Sequence, residues 1–371
     1  MKVIIERGTL LKALSHVQSV VERRNTIPIL SNVLLRADGG TLSLTATDLD
    51  IEINESVPAS AEQPGAVTAA AVTLFDIVKK LPDGQQVELE RLPAGRLRLS
   101  SGTSEFSLAV LPEDDFPALP QAEEGQGFAV KTGDLARLID KAKFAMSQEE
   151  TRYYLNGIYL HASEDGDAQT LRAVATDGHR LARLDAPLPS GAEGLPGIIV
   201  PRKAVLELRR LLDDAGDEVN VLVASGRVQF TFGDITLTTK LIDGTFPDYA
   251  RVIPQGNDKI MRVNPADFAK SVDRVSTVSA DKTRSVKLAL EGDKLTLNVN
   301  SPETGTATED LGVDYPGDPI EIGFNARYLL DITAQVDGDA ATFAFADTAS
   351  PTVITDDDDP HALYVLMPLR V

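Results

Sequence analysis

The sequence predicts an α+β protein made of three similar domains, and three observations support this prediction. One strand-like segment occurs twice at a wide spacing, because residues 42–48 (LSLTATD) resemble residues 171–177 (LRAVATD), 129 residues further on. Apolar residues recur at helical spacing in some segments and alternate with polar residues in many others. The strand-like segments outnumber the helical ones and follow one another directly, which favours antiparallel sheets with helices on one face over a parallel α/β fold.

The repeat is long and has an inner repeat. Phe116-Pro117 returns as Phe246-Pro247, 130 residues later. Within the first copy, residues 40–44 (GTLSL) resemble 95–99 (GRLRL), so each domain looks internally duplicated. Solenoids and propellers repeat at about 20–50 residues, so this period indicates whole domains. Polar stretches with Gly and Pro separate the copies. The predicted domains are 1–124, 125–254 and 255–371.

Six segments have the apolar spacing of amphipathic helices. They are 7–24, 72–80, 131–143, 202–210, 264–274 and 325–335. Asn264-Pro265 is a typical helix start, because the Asn side chain caps a backbone N–H and Pro fits the first helical position. Between the helices, apolar and polar residues alternate, and Ser101-Gly102 and Gly233-Asp234 indicate tight hairpins.

Charge is distributed unevenly along the chain. The net charge is −20, which argues against a protein that binds nucleic acid with its whole surface. The six predicted helical segments together carry +9, so the remainder carries −29. Arg202-Lys203 and Arg209-Arg210 form a basic stripe on one of these helices, and Lys79-Lys80 lie at the matching place in the first copy. A charged stripe is usually a solvated face, but its recurrence in an acidic protein favours a role in binding.

Composition predicts a cytoplasmic protein without disulfides. The chain has no cysteine, an apolar fraction of 43%, and an N-terminus too charged for a signal peptide. No apolar run reaches membrane-spanning length. The run Asp356-Asp357-Asp358-Asp359 lacks the alternating ligands of a calcium loop, so we expect a solvated loop there.

The most enzyme-like segment is residues 176–180 (TDGHR), where Asp177 and His179 could suggest a proton relay. A relay needs a nucleophile and an oxyanion site within reach, and no such motif accompanies them. The four histidines, His16, His161, His179 and His361, lack metal-ligand spacing. The sequence therefore predicts a turn at Asp177-Gly178, with no catalytic residue, no metal and no cofactor.

Two further segments suggest binding. Arg152-Tyr153-Tyr154 could lie along a phosphate backbone, or could equally be a strand edge with exposed tyrosines, and residue chemistry leaves both interpretations open. The tail at 364–371 (YVLMPLRV) ends apolar, which indicates either a final strand or a binding surface. Met and Leu beside Pro suit a surface that accepts several partner peptides.

These motifs resemble a known family. Residues 153–157 (YYLNG), 175–181 (ATDGHRL), 199–203 (IVPRK) and 246–249 (FPDY), with the Met-Pro-Leu-Arg tail, are similar to the bacterial sliding clamp, the β subunit of DNA polymerase III, over the whole chain. The resemblance implies three DNA-clamp domains, each a duplicated unit of one helix plus antiparallel strands. It also implies a head-to-tail homodimer that closes a ring around double-stranded DNA without reading its sequence.

The resemblance further implies function and partners. The ring would tether the replicative polymerase and dock the DNA polymerase III α subunit, the clamp loader, other polymerases and repair proteins through a peptide cleft. No membrane is expected. Two alternatives remain open at this stage: a hydrolase-type enzyme using Asp177 and His179, and a protein-binding scaffold that does not bind DNA.

Site residues follow from the matched positions. The resemblance places Arg24, Arg152, Tyr153, Tyr154, Arg202 and Lys203 on DNA; helix position and charge add Lys79, Lys80 and Arg137. The implied cleft residues are Leu155, Thr176, His179, Arg180, Leu181, Pro247, Val252, Asn325, Tyr328, Val365, Met367, Pro368, Leu369 and Arg370. The implied dimer interface has Phe106 and Leu108 on one side and Thr277 and Val278 on the other. Thr277, Thr283 and Glu149 depart from the family pattern.

Overall fold

The computed structural model describes residues 1–22, 26–93, 95–117, 119, 124–165, 168–279 and 285–370. Within these residues the α-helices are α1 (Arg7–Val17), α2 (Ala71–Lys80), α3 (Thr132–Ala142), α4 (Arg202–Leu212), α5 (Pro265–Ser276) and α6 (Ala326–Thr333). The last five begin and end within two residues of the predicted bounds. The start of α5 is confirmed, because Asn264 Oδ1 accepts a hydrogen bond from the Asp267 backbone N–H at 3.0 Å, with Pro265 in the first helical position.

The first helix is shorter than predicted. It ends at Val17 and passes into a 3₁₀ turn at Gln18–Val20, whereas the periodicity predicted a helix to residue 24. The Ser19 hydroxyl donates to the His16 carbonyl at 3.1 Å and so competes with the helical hydrogen-bond pattern. β-branched Val17 and Val20 lower the helical preference further. Residues 23 and 24 lie outside the described part of the chain.

The strands fall into three groups along the chain. The first is β1 (Lys2–Glu6), β2 (Asn32–Asp38), β3 (Thr41–Thr47), β4 (Ile51–Pro58), β5 (Ser60–Gln63), β6 (Gly65–Ala70), β7 (Gln86–Leu92), β8 (Arg96–Ser101) and β9 (Ser104–Ala109). The second is β10 (Gln126–Lys131), β11 (Gly157–Asp165), β12 (Ala168–Thr176), β13 (Arg180–Pro187), β14 (Ile198–Pro201), β15 (Glu218–Ala224), β16 (Arg227–Phe232) and β17 (Ile235–Lys240). The third is β18 (Lys259–Val263), β19 (Ser285–Glu291), β20 (Lys294–Ser301), β21 (Gly305–Gly312), β22 (Ile320–Asn325), β23 (Ala341–Phe345), β24 (Thr352–Asp356) and β25 (Asp359–Leu366).

Among the residues that the structure describes, one structural unit occurs six times, which confirms the predicted duplication. Each unit is a strand that leads directly into a helix, together with three antiparallel strands joined in succession. The three-stranded runs are β2-β3-β4, β7-β8-β9, β11-β12-β13, β15-β16-β17, β19-β20-β21 and β23-β24-β25. The predicted hairpins are also confirmed, since β8 pairs with β9 across Gly102 and β16 pairs with β17 across Gly233-Asp234.

The chain divides into two compact units. The first comprises Met1–Ala136, Pro189–Glu193 and Lys203–Leu241. It contains a five-stranded sheet, β5-β1-β7-β8-β9, and an eight-stranded sheet, β10-β15-β16-β17-β4-β3-β2-β6. Helix α1 packs on α2, β3 and β4, and the periodic residues Leu10 and Leu14 are fully buried.

The second unit comprises Arg137–Leu188, Gly194–Arg202 and Ile242–Val371. It contains an eight-stranded sheet, β14-β11-β12-β13-β25-β24-β23-β18, and a four-stranded sheet, β21-β20-β19-β22. Helix α5 packs on α6, and the rings of Phe268 and Phe343 lie 5.2 Å apart in its core. Both compact units combine residues from more than one predicted domain, and the boundaries at 124/125 and 254/255 remain predictions.

Long-range pairing follows one rule. The last strand of a three-stranded run pairs with the last strand of another run, as β17 does with β4 and β25 does with β13. Two such strands have no partner of this kind among the described residues. They are β9, at the end of the five-stranded sheet, and β21, at the end of the four-stranded sheet.

The aspartate run is not the solvated loop that its composition predicted. Asp356 ends β24 and is 3% exposed, because its carboxylate accepts hydrogen bonds from the backbone of Asp337 and Asp358 at 2.9 and 3.0 Å. Asp359 begins β25 and pairs with basic side chains described below. Only Asp357 and Asp358 form the turn between the strands, so the loop prediction was wrong for two of the four residues.

Candidate functional site

An apolar cavity of about 220 Å³ lies beside the end of the last strand. It is lined by Leu155, Thr176, Gly178, His179, Arg180, Leu181, Pro247, Asp248, Tyr249, Val252, Val365 and Met367. Leu155, Leu181 and Val365 belong to a buried cluster that includes Phe246 and Ile253. The cavity therefore has a tightly packed floor, which keeps its shape in the absence of a ligand.

The rim of the cavity is apolar as well. Val252 is 50% exposed and Met367 is 41% exposed. Exposed apolar side chains beside an apolar cavity are typical of a docking surface. Met367 can also adjust its shape to different partners, because its side chain is unbranched and flexible.

Nine of the fourteen predicted cleft residues line this cavity. Tyr328 lies in a neighbouring cavity, described below. Asn325 caps α6, because its side-chain oxygen accepts a hydrogen bond from the Arg327 N–H at 2.9 Å. Pro368, Leu369 and Arg370 follow β25, and the Leu369 N–H donates to the Gly323 carbonyl at 2.8 Å. The structure thus anchors the tail on the four-stranded sheet, next to the start of α6.

Arg180 is held from several sides at the edge of the cavity. Its guanidinium donates to Asp177 at 3.1 Å, to Asp331 at 2.5 Å and to the Phe144 carbonyl at 2.8 Å. It also lies over the rings of Tyr328 and Phe144, at 4.3 and 5.1 Å from their centroids. Burial and the Asp177 charge raise the pKa of the Tyr328 hydroxyl. Arg180 therefore stays fixed where a ligand would meet it.

A second cavity of about 550 Å³ shares His179 and Arg180 with the first. It is lined by Phe144, Met146, Ser147, Gln148, Glu149, Asp177, His179, Arg180, Arg202, Arg327, Tyr328 and Asp331. The rings of His179 and Tyr328 lie 6.2 Å apart and nearly parallel. Its lining is mostly polar, in contrast to the first cavity.

The segment that looked most enzyme-like is a turn, as predicted. Asp177 Oδ1 accepts hydrogen bonds from the backbone of His179 and Arg180 at 2.9 and 3.0 Å, and its other oxygen pairs with Arg180. Gly178 has φ +88°, and a Cβ there would lie 2.6 Å from a nitrogen of Arg152. The Asp177 carboxylate is thus occupied by the turn and does not orient His179 as a general base.

Sequence reasoning missed three lining residues: Gly178, Asp248 and Tyr249. Each stands inside a motif that carried the resemblance, within two residues of one that was assigned to the cleft. Placing Asp248 and Tyr249 needed the geometry of the 246–253 segment, in which a 3₁₀ turn at Tyr249–Val252 bends the chain along the cavity, and placing Gly178 needed the geometry of the turn between β12 and β13.

The candidate DNA residues differ in how freely they can meet a phosphate. Lys79 and Lys80 are exposed at the end of α2. Tyr153 is 53% exposed and meets the half-buried Tyr154 edge to face, with ring centroids 5.8 Å apart. Arg152 pairs with Glu149 at 3.0 Å. Glu149, which departs from the family pattern, therefore partly neutralises the positive charge of this loop.

Other candidates are already engaged within their own compact unit. Lys203 pairs with Asp48 and donates to the Val20 carbonyl at 3.0 Å. Arg202 donates to the Met146 carbonyl at 3.4 Å. Such contacts leave a cation less free to neutralise a phosphate. Arg24 lies outside the described residues.

Arg137 is the most strongly engaged of these candidates. Its guanidinium binds both oxygens of Asp359 at 2.5 Å and donates to the Asp185 carbonyl at 3.0 Å. Burial alone would raise the pKa of Asp359, but Arg137 and Lys141 together bring that pKa below its ordinary value. This geometry favours a structural role for Arg137, which ties α3 to the start of β25.

The basic stripe on α4 is also paired locally. Arg209 contacts Asp213 at 2.6 Å. Arg210 contacts Glu207 at 2.9 Å and donates to the carbonyls of Ser15 and His16 at the end of α1. Cations at a helix C-terminus satisfy its last carbonyls, so Arg210 helps to hold α1 in place.

The candidate interface residues lie at the two open strands. Phe106 and Leu108 lie on the same face of β9 and are half-buried. Thr277 and Val278 follow α5, and the Val278 carbonyl accepts a hydrogen bond from Thr304, immediately before β21. Thr277 is exposed, and Thr283 lies outside the described residues.

No group of three or more His, Cys, Asp or Glu side chains in the described part of the chain is arranged to hold a metal ion. Among the same residues, no helix is both long and apolar enough to cross a membrane.

Comparison with known proteins decides the family. Models of the DNA polymerase III beta subunit match the chain in order: the N-terminal domain at 1–120, the central domain at 129–248 and the C-terminal domain at 250–370. The chain belongs to this family. The beta sliding clamp of Caulobacter vibrioides is 56% identical over 372 residues, and that of Escherichia coli is 38% identical over 374, with 100% of both chains covered in each case.

Solved structures of the family agree with the fold. The Caulobacter crescentus beta sliding clamp has a TM-score of 0.97 at 56% identity, and a Bartonella birtlesii clamp bound to griselimycin has 0.97 at 48% identity. Both comparisons cover 100% of both chains. The chain therefore has three clamp domains, as the fold prediction required.

Membership of the sliding clamp family settles the alternatives. The family is a non-catalytic processivity factor of DNA replication, so the hydrolase interpretation of Asp177 and His179 was wrong. The DNA-independent scaffold was wrong too, because the family acts on DNA as part of a polymerase holoenzyme.

Proposed function

We propose that two copies of this chain close head to tail into a ring around duplex DNA and tether the replicative polymerase to it. Each copy contributes three domains, 1–124, 125–254 and 255–371. The ring works by enclosure, so its direct affinity for DNA can remain weak while it slides. The cytoplasm is the proposed location, in keeping with a replication factor that has no cysteine.

One observation carries the proposal. The last strand of each three-stranded run pairs with the last strand of another run, and this rule leaves β9 and β21 without a partner among the described residues. Within the chain, β4 pairs with β17 and β13 pairs with β25. β9 corresponds to β17 and β25, and β21 corresponds to β4 and β13. Open edges of this length invite pairing with another chain. Two copies satisfy both edges when β9 of each pairs with β21 of the other.

The proposed interface has side chains to support the strand pairing. Phe106 and Leu108 on β9 supply apolar area, and Thr277 and Val278 lie near the start of β21. The two surfaces of the proposed interface differ, so each copy uses both of them. When both contacts form between two copies, no strand edge is left free and the pair closes into a ring.

The proposed DNA face uses a few weak contacts. Lys79, Lys80, Arg152 and Tyr153 are accessible enough to meet phosphates, whereas Lys203 and Arg202 would first have to leave their present partners. Lys and Arg contacts to phosphate carry no sequence information and weaken with salt. This suits a ring that must move along any sequence.

The cleft is proposed to dock apolar peptide segments from polymerases, the clamp loader and repair proteins. The apolar cavity has room for one or two aliphatic or aromatic side chains, and Arg180 and His179 lie between it and the polar cavity. Support comes from the nine predicted residues that converge on it. A related clamp was crystallised with griselimycin, which makes that compound a suitable probe.

Retention on circular DNA tests the proposed ring. The clamp is loaded with its clamp loader and ATP onto nicked circular DNA, and the bound fraction is measured by gel filtration before and after one double-strand cut. We expect retention on the circle and release after linearisation, because only enclosure depends on DNA ends. Equal retention on both forms would contradict the ring. Linear DNA with protein-blocked ends is the control and should retain the clamp.

A further inference from the structure

A row of polar side chains crosses three neighbouring strands behind the apolar cavity. His161 on β11 lies directly opposite Arg172 on β12, which lies directly opposite Asp185 on β13. Directly opposed residues of antiparallel strands point to the same face of a sheet. Arg172 and Asp185 are 5% and 6% exposed, and the guanidinium binds both carboxylate oxygens, at 2.6 and 3.1 Å.

The hydroxyl of Tyr249 completes this row. It lies 2.9 Å from His161 Nε2 and 3.4 Å from a terminal nitrogen of Arg172. Tyr249 begins the 3₁₀ turn that lines the cavity. The row therefore connects a fixed sheet to the segment that forms the cavity wall.

The direction of each hydrogen bond follows from chemistry. His161 Nδ1 lies 2.7 Å from the Ala162 carbonyl, which can only accept, so Nδ1 carries a proton. Arg172 can only donate, so the Tyr249 oxygen accepts from it. The Tyr249 hydroxyl is then free to donate to His161 Nε2, which has a lone pair in the neutral ring. All these groups are satisfied in one arrangement, with His161 neutral.

A protonated His161 would not satisfy the row. Its Nε2–H would face the Tyr249 oxygen, and the Tyr249 hydrogen would lose its acceptor. The arrangement therefore selects one tautomer and one orientation of the Tyr249 hydroxyl.

Packing on either side shows what the row supports. The ring of Phe246 stacks on Tyr159 at 4.8 Å with an interplanar angle of 4°, which fixes the start of the segment. Ile253 is buried in the cluster below it, which fixes the end. Between these anchors, the hydroxyl of Tyr249 is bonded directly to the row. Pro247 and Val252, on either side of Tyr249, line the cavity.

We propose that His161, Arg172 and Asp185 are positioning residues for the cleft: they hold Tyr249, and through it the wall formed by Pro247 and Val252. This inference rests on the proposed docking function. A preformed wall loses less conformational freedom when a ligand binds, so His161, Arg172 and Asp185 raise affinity although none of the three lines the cavity.

Calorimetric titration with griselimycin tests the inference on the full-length protein. Tyr249→Phe keeps the ring and removes only the hydroxyl that joins the row. We expect affinity to fall about three- to tenfold, chiefly through loss of the 2.9 Å bond to His161, since the 3.4 Å bond from Arg172 is the weaker of the two. Tyr315→Phe is the matched control, because Tyr315 also donates a hydroxyl hydrogen bond, at 2.5 Å to Asp318, but does not line the cavity. It should bind like the wild type.

A second pair of variants separates positioning from general packing. His161→Gln keeps an acceptor for Tyr249 and a donor for the carbonyl, so it should bind within about twofold of the wild type. His161→Leu keeps bulk but loses both, and should match Tyr249→Phe. The double variant Tyr249→Phe/His161→Leu should be no weaker than either single variant, because both break the same bond.

Nitrogen chemical shifts of histidine give an independent measurement. With ¹⁵N-labelled histidine, only four side chains contribute signals, and His161 is assigned by its loss in His161→Gln. We expect the neutral ring with the proton on Nδ1. A proton on Nε2, or on both nitrogens at neutral pH, would overturn the proposed row.

The outcomes distinguish the two proposals. If the wild type does not bind griselimycin, the proposed docking function of the cleft fails for this probe. If the wild type binds and Tyr249→Phe binds equally well, docking stands and the positioning role is wrong. If Tyr315→Phe weakens binding as much as Tyr249→Phe, the effect is general destabilisation, and the positioning role is again wrong.

Discussion

Arg180 shows how one residue can serve both stability and recognition. Asp177 and Asp331 bind its guanidinium on different sides, and it lies over two aromatic rings. A cation that is this well satisfied contributes shape and direction to the cleft more than free charge. Recognition of a partner at this position can therefore stay weak and reversible.

His16 is a second residue whose charge is set by its partners. It is 2% exposed, with Nδ1 at 2.8 Å from Glu55 and Nε2 at 3.1 Å from Asp214. A neutral ring has one N–H and cannot donate to both carboxylates, so the geometry requires the protonated ring. Burial alone would lower the pKa of His16, but the hydrogen bonds and charges of Glu55 and Asp214 outweigh it and raise that pKa above 6.5.

Stability should therefore depend on the charge of His16. Because its pKa is higher in the folded chain than in the unfolded chain, its stabilisation is complete below the ordinary pKa and is lost as the pH rises through the folded pKa. We expect His16→Gln to lower the free energy of unfolding by about 1–3 kcal/mol near pH 6. The difference from the wild type should shrink steadily towards pH 9.

Urea unfolding followed by circular dichroism checks this at several pH values. His361→Gln is the control, because it makes the same substitution at an exposed histidine. A difference for His16→Gln that grew with pH would contradict the assigned charge.

For individual residues, the sequence predicted which side chains have a role better than it predicted the side chains that they contact. Most of the cleft residues could be assigned because they stand in motifs, but Tyr249 was missed, since its role depends on His161 and Arg172, which lie 88 and 77 residues away in the chain. The same limit applies to Arg137. Its charge suggested DNA, yet its nearest carboxylate, Asp359, lies 222 residues further along the chain.

At the scale of elements, β9 is the least protected strand of the first compact unit. It lies at a sheet edge and presents Phe106 and Leu108 on one face, while its other face carries Glu105 and Ser107. Half-buried aromatic and aliphatic residues on an open edge are costly in a monomer, because both the backbone and the side chains invite association.

A charge on the face of β9 that carries Phe106 and Leu108 should prevent dimer formation. We expect Phe106→Glu to convert a dimer to a monomer at micromolar concentration, because the carboxylate would be desolvated in the interface. Ser107→Glu adds the same charge to the opposite face of the same strand and should remain dimeric. Sedimentation velocity measures both; a dimeric Phe106→Glu would show that β9 is not in the interface.

Helices and hairpins could be predicted from sequence because their contacts are local. Periodicity located five helices within two residues, and turn chemistry located two hairpins. The pairing of β4 with β17 could not be predicted in this way, because it joins segments about 180 residues apart whose register is fixed only by packing. The end of α1 was predicted too late in the chain. The apolar spacing continues past Ser19, whose hydroxyl competes for the His16 carbonyl.

For the whole molecule, the contrast between a net charge of −20 and a few exposed lysines determines the behaviour on DNA. Most of the basic residues discussed above are neutralised by nearby carboxylates. Long-range attraction to DNA is therefore small, and enclosure must supply the lifetime of the complex.

Charge reversal at Lys79 and Lys80 distinguishes DNA binding through direct phosphate contacts from retention by enclosure. We expect Lys79→Glu/Lys80→Glu to weaken binding to short linear duplexes and to reduce its salt dependence by up to about two units of the logarithmic slope. Retention on closed circular DNA, once loaded, should not change. Fluorescence anisotropy across a salt series measures the first and gel filtration the second. Lys287→Glu, on strand β19, is the control and should leave the slope unchanged.

The long-range sheet pairing also constrains how the protein is made. Strand β4 is synthesised early, but its neighbour β17 follows only after about 180 further residues, and β13 must wait for β25, the last strand described. At roughly 5–20 residues per second, β4 leaves the ribosome with an open edge for on the order of ten seconds or more. Its charged Glu52 and polar Asn54 and Ser56 are well placed to keep neighbouring nascent chains from pairing with it during that interval.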